Sequence, residues 1–173
     1  MASILKVNEI QNTGGTSAIT VDTNGRVVNK LKSCFTAGLA SGAPQTIAST
    51  SKINFVSSGN LFQQIDANND FDDANNRFVA PVTGVYFFQL SFYDGTSGQD
   101  IYGAQLYIDG SRKQNFTWHK VQSPTAESFS GGTAIYNMTA NSYAEVYAVP
   151  SGSVTIADNA YHTFWMGYLV GQI

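Results

Sequence analysis

The fold is decided by residues 66–90, which read DANNDFDDANNRFVAPVTGVYFFQL. Aromatic residues recur along this stretch at Phe71, Phe78 and Tyr86, and Asn, Asp and Gly residues separate them. Aromatic residues favour strands, whereas Asn, Asp and Gly favour tight turns. The alternation of the two predicts several short antiparallel strands, of which the last, GVYFFQL, is strongly apolar.

The whole sequence has the composition of one β-rich domain with a short appendage. Of its 173 residues, 12% are charged and 13% are aromatic, whereas soluble domains average about 25% charged residues. The nine Lys and Arg residues are scattered, and the formal net charge is −3. Nucleic-acid binding needs clustered basic residues, so no nucleic-acid partner is expected.

The sequence has no recognisable targeting signal and a single cysteine. The N-terminal residues MASILKVN lack the basic start and apolar run of a signal peptide. No apolar stretch approaches the roughly 20 residues that span a bilayer, so no membrane insertion is expected. We therefore expect synthesis in a cytoplasm, with release, if any, by lysis or assembly. Cys34 is the only cysteine, which excludes an internal disulfide, and we expect it to be a small buried group.

From residue 31 onward the sequence predicts strands throughout, and no segment shows a sustained helical period. The expected strands are Ser33–Gly38, Lys52–Val56, Leu61–Ile65, Asn76–Ala80, Val85–Tyr93, Ile101–Asp109, Arg112–Lys120, Ser128–Met138, Tyr143–Val149 and Tyr161–Val170. Asp109-Gly110 predicts a tight hairpin turn. Gly84 follows Pro81-Val82-Thr83, and we expect it to hold a backbone angle that a side chain would strain.

Residues 1–30 differ from the rest, and we interpret them as an anchoring segment. Their short strand-like pieces include one that ends at the turn signal Asn24-Gly25. Because an isolated hairpin is marginal in water, these pieces must pack against sister copies, the main domain or another protein. The expected docking side chains are Ile4, Leu5, Val7, Ile10, Ile19 and Val21. The alternative is a frayed N-terminus without a docking role.

Two strands are apolar on both faces. Along VYFF at 85–88, the first and third side chains point one way and the second and fourth the other. FWMGYLV at 164–170 follows the same pattern. Because an aromatic side chain left in water forgoes roughly 1.5–3 kcal/mol, we expect one face to form the core and the other to contact another subunit. The alternative is that the chain's own loops cover the second face.

Six positions carry a likeness to a known family: Asp66, Phe71, Phe78, Gly84, Tyr86 and Phe88. Their spacing resembles the signature of the complement component 1q globular-head family, which belongs to the tumour-necrosis-factor-like jelly rolls. The strand WMGYL at 165–169 is similar to that family's closing Phe-x-Gly-x-Leu strand, with Trp165 in the Phe position. Leu90 and Asn60 depart from the pattern, which has aromatic residues at both places.

The resemblance covers roughly residues 33–173 and implies a trimeric binding or structural head rather than an enzyme. It implies a two-sheet jelly-roll sandwich of about ten strands, so the expected fold class is all-β, with a short N-terminal β extension. We expect the head to occupy residues 31–173. Packing in the core or at the trimer interface is expected of Phe71, Phe78, Gly84, Tyr86, Phe87, Phe88, Leu90, Phe164, Trp165, Gly167, Tyr168 and Leu169.

The N-terminal segment carries a second resemblance. MASILKVNEIQNTGG at 1–15 and ITVDTNGRV at 19–27 are similar to the starts of tail-fibre and related virion proteins of marine and cyanobacterial phages. We therefore expect a homotrimeric tail fibre or adhesin, made in the host cytoplasm and located in the virion. Residues 1–30 would dock on other virion proteins, and the head would contact a host-surface glycan or protein. The alternatives are a capsid decoration (cement) protein and a soluble lectin-like head.

Motifs of catalysis and cofactor binding are missing from the sequence. His119 and His162 lack zinc-ligand spacing, and neither a G-x-S-x-G motif nor a P-loop occurs. Acidic residues cluster between Asp66 and Asp73, where oxygen ligands could hold calcium, although the spacing is not that of an EF-hand and Asp is common in turns. We expect no metal, cofactor or enzyme activity. Calcium at this cluster and a carboxylate pair for glycoside hydrolysis stay open as alternatives.

Overall fold

The described part of the protein is built from strands and turns. The computed structural model describes residues 7–11, 13–15, 17–29, 32–39, 44–58, 65–94, 101–120, 128–157 and 162–173. The strands in these ranges are β1 (Glu9–Gln11), β2 (Ser17–Val21), β3 (Val27–Asn29), β4 (Cys34–Leu39), β5 (Gln45–Ile47), β6 (Ser51–Lys52), β7 (Phe55–Val56), β8 (Ile65–Asp66), β9 (Phe71–Asp72), β10 (Arg77–Val79), β11 (Gly84–Asp94), β12 (Ile101–Ile108), β13 (Ser111–Lys120), β14 (Ser128–Met138), β15 (Tyr143–Pro150), β16 (Val154–Ile156) and β17 (Phe164–Gln172). No helix occurs in these ranges, and hence none that could cross a membrane.

The chain divides into two compact units, Met1–Lys32 and Ser33–Ile173. The first unit contains an antiparallel sheet in the order β1-β2-β3. The second unit contains a six-stranded sheet, β13-β12-β15-β10-β9 with β6 on β15. It also contains an eight-stranded sheet, β5-β16-β11-β17-β4-β7 with β14 on β11 and β8 on β4. These two sheets pack face to face as a jelly-roll sandwich, which confirms the expected fold class.

The hairpin between β2 and β3 is held by a carboxylate. Asp22 accepts hydrogen bonds from the backbone N–H groups of Asn24 and Arg26, both at 2.9 Å. Gly25 adopts a φ of 77°, which a glycine reaches at no steric cost. The turn predicted from Asn24-Gly25 is therefore confirmed.

The hairpin between β12 and β13 turns on two residues in the left-handed region. Asp109 has a φ of 50° and Gly110 a φ of 71°, as a two-residue hairpin of matched twist requires. The Asp109 carboxylate also accepts a hydrogen bond from the backbone N–H of Tyr143 at 2.9 Å. The predicted hairpin is confirmed, and its turn is tied to the start of β15.

The central strand β11 alternates between the core and the outer face of its sheet. Tyr86, Phe88 and Leu90 are buried, whereas Val85 and Phe87 on the opposite side are half-buried. The pattern follows from the pleat, which sends successive side chains to opposite faces. One of the two apolar faces predicted for this strand therefore forms the core.

Phe35 on β4 lies at the centre of an aromatic core. Its ring stacks on Phe78 at 4.8 Å between centroids, and it meets Trp165 edge-on at 4.9 Å and Phe71 at 5.1 Å. Phe88 lies 5.9 Å from Trp165. These rings come from both sheets, so they join the two layers. Each contributes roughly 1.5–3 kcal/mol through burial, and each aromatic pair adds about 0.5–1.5 kcal/mol.

The two sheets meet along one edge, where β13 lies against β14. A Cβ atom on Gly132 would overlap the carbonyl oxygen of Phe116, so only glycine allows this approach. The Gln114 side-chain amide donates a hydrogen bond to the Thr133 carbonyl at 3.1 Å. We call this contact between the sheet edges the seam.

Two predicted strands differ from the structure at their ends. The strand expected at 52–56 is divided into β6 and β7, with Ile53 and Asn54 between them. The break occurs because β6 pairs with β15 in one sheet and β7 with β4 in the other. The strand expected at 161–170 begins only at Phe164, and the preceding residues include a turn.

Several short strands were not predicted from the sequence. Of the expected strand Leu61–Ile65, only Ile65 lies within the described residues, where it begins β8. The strands β5, β9 and β16 were not predicted, since two or three residues between turns carry no periodicity of their own. They are specified by pairing with distant strands, as β16 is with β5 and β11.

Candidate assembly surface

The outer face of the eight-stranded sheet carries a continuous apolar surface. Cross-strand pairing sets Ile135, Phe87 and Tyr168 side by side on β14, β11 and β17. Ile135 is 64% exposed and Tyr168 is 42% exposed, and the Phe87 and Tyr168 ring centroids lie 5.1 Å apart. We call this surface the assembly face, and its members are Val85, Phe87, Ile135, Phe164, Met166, Tyr168 and Val170.

Uncharged polar residues surround the assembly face. Gln89 and Ser91 continue its outward row on β11, and Thr133 and Asn137 flank Ile135 on β14. None of the described outward-facing side chains in these segments of β11, β14 and β17 is charged. Because burying an unpaired charge is costly, an uncharged face can be covered by another surface with little desolvation penalty.

The structure divides the twelve residues expected in the core or at a trimer interface. Those facing the core are Phe71, Phe78, Gly84, Tyr86, Phe88, Leu90, Trp165, Gly167 and Leu169. Those facing outward are Phe87, Phe164 and Tyr168. An apolar residue on each side of a strand does not tell which side is covered by the second sheet, so sequence reasoning left this division open.

Ile135 is the member of the assembly face that lies outside the two strands predicted to be apolar on both faces, whereas Val170 lies at the end of one of them. Val170 is 52% exposed. Ile135 lay within a correctly predicted strand, but its place beside Phe87 depends on the pairing of β11 with β14, which are distant in sequence. The signal available in the sequence was an isoleucine that alternates with Thr133 and Asn137 on one side of the strand GGTAIYNM at 131–138.

Gly84 and Gly167 are required by close packing rather than by turn geometry. A Cβ atom on Gly84 would lie 2.6 Å from the carbonyl oxygen of Gly171 and 2.7 Å from a Leu169 methyl carbon. The φ of Gly84 lies outside the left-handed region, so the expected strained backbone angle is wrong. A Cβ atom on Gly167 would lie 2.7 Å from the Phe88 ring, and glycine there leaves room for the aromatic core.

Cys34 lies on the outer side of β4, against the expectation that it is buried. It is half-buried and free, and it pairs in register with Tyr168. The neighbouring Phe35 occupies the core, so alternation along the strand turns Cys34 outward. The thiol therefore borders the assembly face.

The residues predicted to dock the N-terminal segment lie in or beside the three-stranded sheet. Those within the described residues are all exposed, namely Val7, Ile10, Ile19 and Val21. Ile4 and Leu5 lie outside the described residues. Exposure leaves these side chains available for a contact, and the docking role itself stays a prediction.

One face of the three-stranded sheet is aliphatic. Ile10 pairs directly with Ile19, and Val21 pairs with Val27. Directly paired residues share a face, as do residues two apart on a strand, so the four side chains lie on the same side. All four are exposed. A three-stranded sheet has no second layer of its own to cover such a face.

Asp66 caps a turn in the acidic segment. Its carboxylate accepts hydrogen bonds from the backbone N–H groups of Asp70 at 2.8 Å and Phe71 at 3.3 Å. Burial raises the pKa of the Asp66 carboxyl, the two N–H donors lower it in part, and the nearby carboxylates of Asp70 and Asp73 raise it further. The Asp66 carboxylate therefore fastens the turn between β8 and β9.

The other acidic side chains serve separate contacts. Asp72 accepts hydrogen bonds from the Asn75 side-chain amide at 2.8 Å and from Arg77 Nε at 3.1 Å, and these donors, led by Asn75, lower the pKa of its carboxyl. Asp73 accepts a hydrogen bond from the backbone N–H of Ser57 at 2.6 Å. Across the part of the chain that the structure describes, no group of three or more His, Cys, Asp or Glu side chains is placed to share a metal ion.

His162 is half-buried before the start of β17. Its carbonyl accepts a hydrogen bond from the Ser91 hydroxyl at 2.8 Å, and its ring meets Tyr93 edge-on with centroids 5.5 Å apart. These contacts fasten β17 to β11 at one end of the assembly face. His162 therefore contributes to packing and hydrogen bonding between the two strands.

Solved structures share this architecture at low sequence identity. Eiger TNF from S. frugiperda matches 82% of this chain and 94% of its own, with a TM-score of 0.59 and 9% identity. The globular domain of zebrafish complement 1qA protein matches 82% of this chain and 99% of its own, with a TM-score of 0.57 and 14% identity. No protein-family model and no curated protein matches the sequence. The likeness shows the jelly-roll fold expected from residues 33–173.

Proposed function

We propose that the protein is a non-enzymatic, homotrimeric head whose copies associate through the assembly face. The single observation that supports this most is the cluster of Phe87, Ile135 and Tyr168, apolar side chains on the outer side of a sheet whose inner side already forms the core. Covering one such side chain contributes roughly 1.5–3 kcal/mol. The three-fold number comes from the resemblance to the complement component 1q family.

The oligomeric state tests this proposal directly. Light scattering coupled to size exclusion should give about three times the chain mass of 18.6 kDa at micromolar concentration. A monomer there would leave the exposed aromatic and aliphatic side chains unexplained and would overturn the proposal. A dimer would retain the face as an interface and reject the three-fold assembly.

Within a particle, we propose that the trimer serves a phage as a tail fibre or adhesin. Support comes from the N-terminal resemblance and from the exposed aliphatic face formed by Ile10, Ile19, Val21 and Val27. Covering each such aliphatic side chain contributes roughly 1.5–3 kcal/mol. Docking on another virion protein would cover this face and would leave the jelly-roll unit to contact the host surface.

The position of the protein on purified particles separates this role from its alternatives. Antibody raised against residues 33–173 and viewed by electron microscopy should label the tail. Label spread over the shell would instead support a capsid decoration protein. Absence from particles would support a soluble head of the lectin-like kind and would overturn the virion proposal.

A further inference from the structure

The outer face of the six-stranded sheet differs from the assembly face in carrying a tryptophan among polar side chains. Trp118 on β13 is 54% exposed. It pairs with Gly103 on β12, and a Cβ atom on Gly103 would stand 2.5 Å from Cε3 of the indole and 3.1 Å from Cζ3. The indole therefore lies over the backbone of Gly103 and offers its other side to solvent. A glycine beneath an exposed indole provides a platform for a flat ligand.

A polar amide lies next to this platform. Two residues along β12 from Gly103, Gln105 pairs with Asn115, and its side-chain Nε2 donates a hydrogen bond to Asn115 Oδ1 at 3.0 Å. Gln105 is only 3% exposed, whereas Asn115 is exposed. The buried amide thus fixes the orientation of the exposed one. Because the Asn115 oxygen is occupied, its NH₂ group is left to meet a ligand.

Two tyrosines continue the same face. Tyr147 on β15 pairs with Gln105, and its ring lies 4.1 Å from that of Tyr107, centroid to centroid. Burial, followed by the Glu145 carboxylate, raises the pKa of the Tyr147 phenol. Because its proton is directed at that carboxylate, the hydroxyl meets a ligand as a hydrogen-bond acceptor. Both tyrosines are half-buried, which holds their rings in place and leaves part of each in water.

Charge on this side of the sheet is largely compensated. Glu145 is paired with Lys52 at 2.9 Å, and Asp72 is paired with Arg77 at 3.1 Å. Arg112, opposite Tyr107, is exposed at the margin. A face with paired charges, aromatic rings and oriented amides offers little to a highly charged partner. It suits a neutral ligand that has both apolar C–H groups and many hydroxyls.

We propose that Trp118, Asn115, Tyr107 and Tyr147 form a saccharide face that binds a neutral pyranose of a glycan. The C–H side of the sugar ring would stack on the indole, and its hydroxyls would bond to the Asn115 amide and the tyrosine hydroxyls. Gly103 and Gln105, which carry the platform and the amide, are two residues apart on a strand, or about 6.6 Å, close to the width of one sugar ring. The inference deepens the proposed host-contact role and lies on the sheet opposite the assembly face.

Tryptophan fluorescence provides a direct test on the full chain. The other tryptophan, Trp165, is fully buried, so quenching by acrylamide reports mainly on Trp118. The protein would be titrated at millimolar concentrations with methyl glucopyranoside, galactopyranoside and mannopyranoside in both anomeric forms, and screened on an array of oligosaccharides. At least one neutral saccharide should bind and protect the exposed indole from quenching. Failure of the whole panel and array, or binding of acidic saccharides alone, would overturn the inference.

Matched variants assign the binding to this face. Trp118→Ala should weaken binding of the positive saccharide about tenfold, and Trp118→Phe should weaken it less because a ring remains. Asn115→Ala should weaken binding about fivefold through the lost hydrogen bond. The control Lys113→Ala changes an exposed residue of the same strand, whose amine lies 6.0 Å from the Tyr136 ring, and should bind as the parent does. Equal affinity of all four variants would place the sugar elsewhere and sink the proposal.

This inference and the proposed function can fail separately. Each variant would first be checked by light scattering, where all should keep the parent's oligomeric mass because the changed residues lie away from the assembly face. Saccharide binding by a protein that is absent from particles would leave the saccharide face in place and remove the virion role. A particle-bound trimer that binds no saccharide would retain the virion role and reject the saccharide face.

Discussion

Phe87 on β11 and Tyr168 on β17 face each other across the middle of the eight-stranded sheet, with ring centroids 5.1 Å apart and both rings on the side away from the core. The same two strands send Phe88 and Trp165 into the core. Each strand therefore contributes aromatic residues to two surfaces, and among the residues that the structure describes the second sheet covers one of them. The uncovered pair is the centre of the assembly face.

Ile135→Asp should break the proposed trimer without unfolding the chain. The side chain is exposed in the single chain, so its loss there should change stability by only about 0.5 kcal/mol. Within an interface, however, the new charge would be buried without a partner. Light scattering should give a folded monomer. Ser49→Asp adds the same charge at an exposed bend outside the face and should leave the trimer intact, whereas a trimer of Ile135→Asp would contradict the assignment of the face.

Gly84→Ala and Gly171→Ala should differ in stability although the two glycines lie on paired strands. The methyl group at position 84 would meet the Gly171 carbonyl oxygen at 2.6 Å and force the strands apart, whereas at position 171 nothing lies within 4 Å. We expect Gly84→Ala to lose about 1–3 kcal/mol and Gly171→Ala to change little. Urea denaturation of both variants measures the difference, and equal midpoints would refute the close-packing explanation.

Trp165→Phe should destabilise the protein less than the loss of side-chain volume alone would predict. The indole Nε1 is buried and has no acceptor among the described residues, and an unpaired buried donor costs about 1–3 kcal/mol. Phenylalanine removes that donor while keeping a ring, so the net loss should stay below about 1.5 kcal/mol. Trp165→Ala removes the ring as well and should lose about 3–5 kcal/mol. Thermal melts of the two variants would decide, and similar losses would argue against an unpaired donor.

Asp72→Asn should destabilise the protein at neutral pH and have no effect in strong acid. The contacts with Asn75 and Arg77 hold the folded-state pKa of Asp72 below its usual range. A carboxyl with a lowered folded pKa adds stability above its unfolded pKa of about 3.9, and that stability is lost as the pH falls through the folded pKa. Melting temperatures measured from pH 7 to pH 2 should converge. Because Asp72 and Arg77 are partly open to solvent, high salt should shrink the difference in melting temperature at neutral pH.

Asp66 should behave in the opposite way. Its folded pKa is raised, chiefly by burial, so the folded state holds its proton more tightly than the unfolded chain. Ionisation of Asp66 therefore opposes folding above its raised pKa, and protonation relieves this as the pH falls through that pKa. Carboxyl chemical shifts followed by NMR should show Asp66 titrating at a higher pH than Asp72. The reverse order would contradict the burial of Asp66.

A chain that starts at Lys32 should stay folded and trimeric yet fail to join particles. The unit Ser33–Ile173 contains both large sheets and the assembly face, whereas the proposed docking strands are lost. Light scattering, thermal melting and co-sedimentation with particles measure the three properties. Aggregation or a much lower melting temperature would place residues 1–31 in the core, and normal attachment would place docking on the jelly roll.

The strands and turns could be predicted from the sequence because their strongest signals come from neighbouring residues. The positive φ values at Asp109-Gly110 and Gly25 are those that Asp-Gly and Asn-Gly turns adopt, and the pleat alone dictates that Tyr86 and Phe87 face opposite ways. The resemblance carried by Phe71 and Phe78 supplied the arrangement of strands, which no local signal contains.

The surfaces were harder to predict because they depend on which strands become neighbours. Ile135 joins Phe87 only through the β11–β14 register, and Trp118 lies over Gly103 only through the β12–β13 register with its bulges. Cys34 illustrates the same limit. A free cysteine is usually buried, but on β4 the neighbouring Phe35 faces the core, so Cys34 faces outward. The type of a residue indicates whether its side chain prefers to be buried. The register of the strand decides which of two consecutive residues faces the core.

The seam, where Gly132 meets the backbone of Phe116, restricts how copies of this protein can add to one another. An exposed strand edge is a template on which further strands can be laid without limit, as in fibrils. The seam brings the outer edges of β13 and β14 against each other and so closes this route at that side. On that side, another copy can associate only through the face of a sheet. The single glycine that permits the seam thus removes one strand edge from open-ended polymerisation.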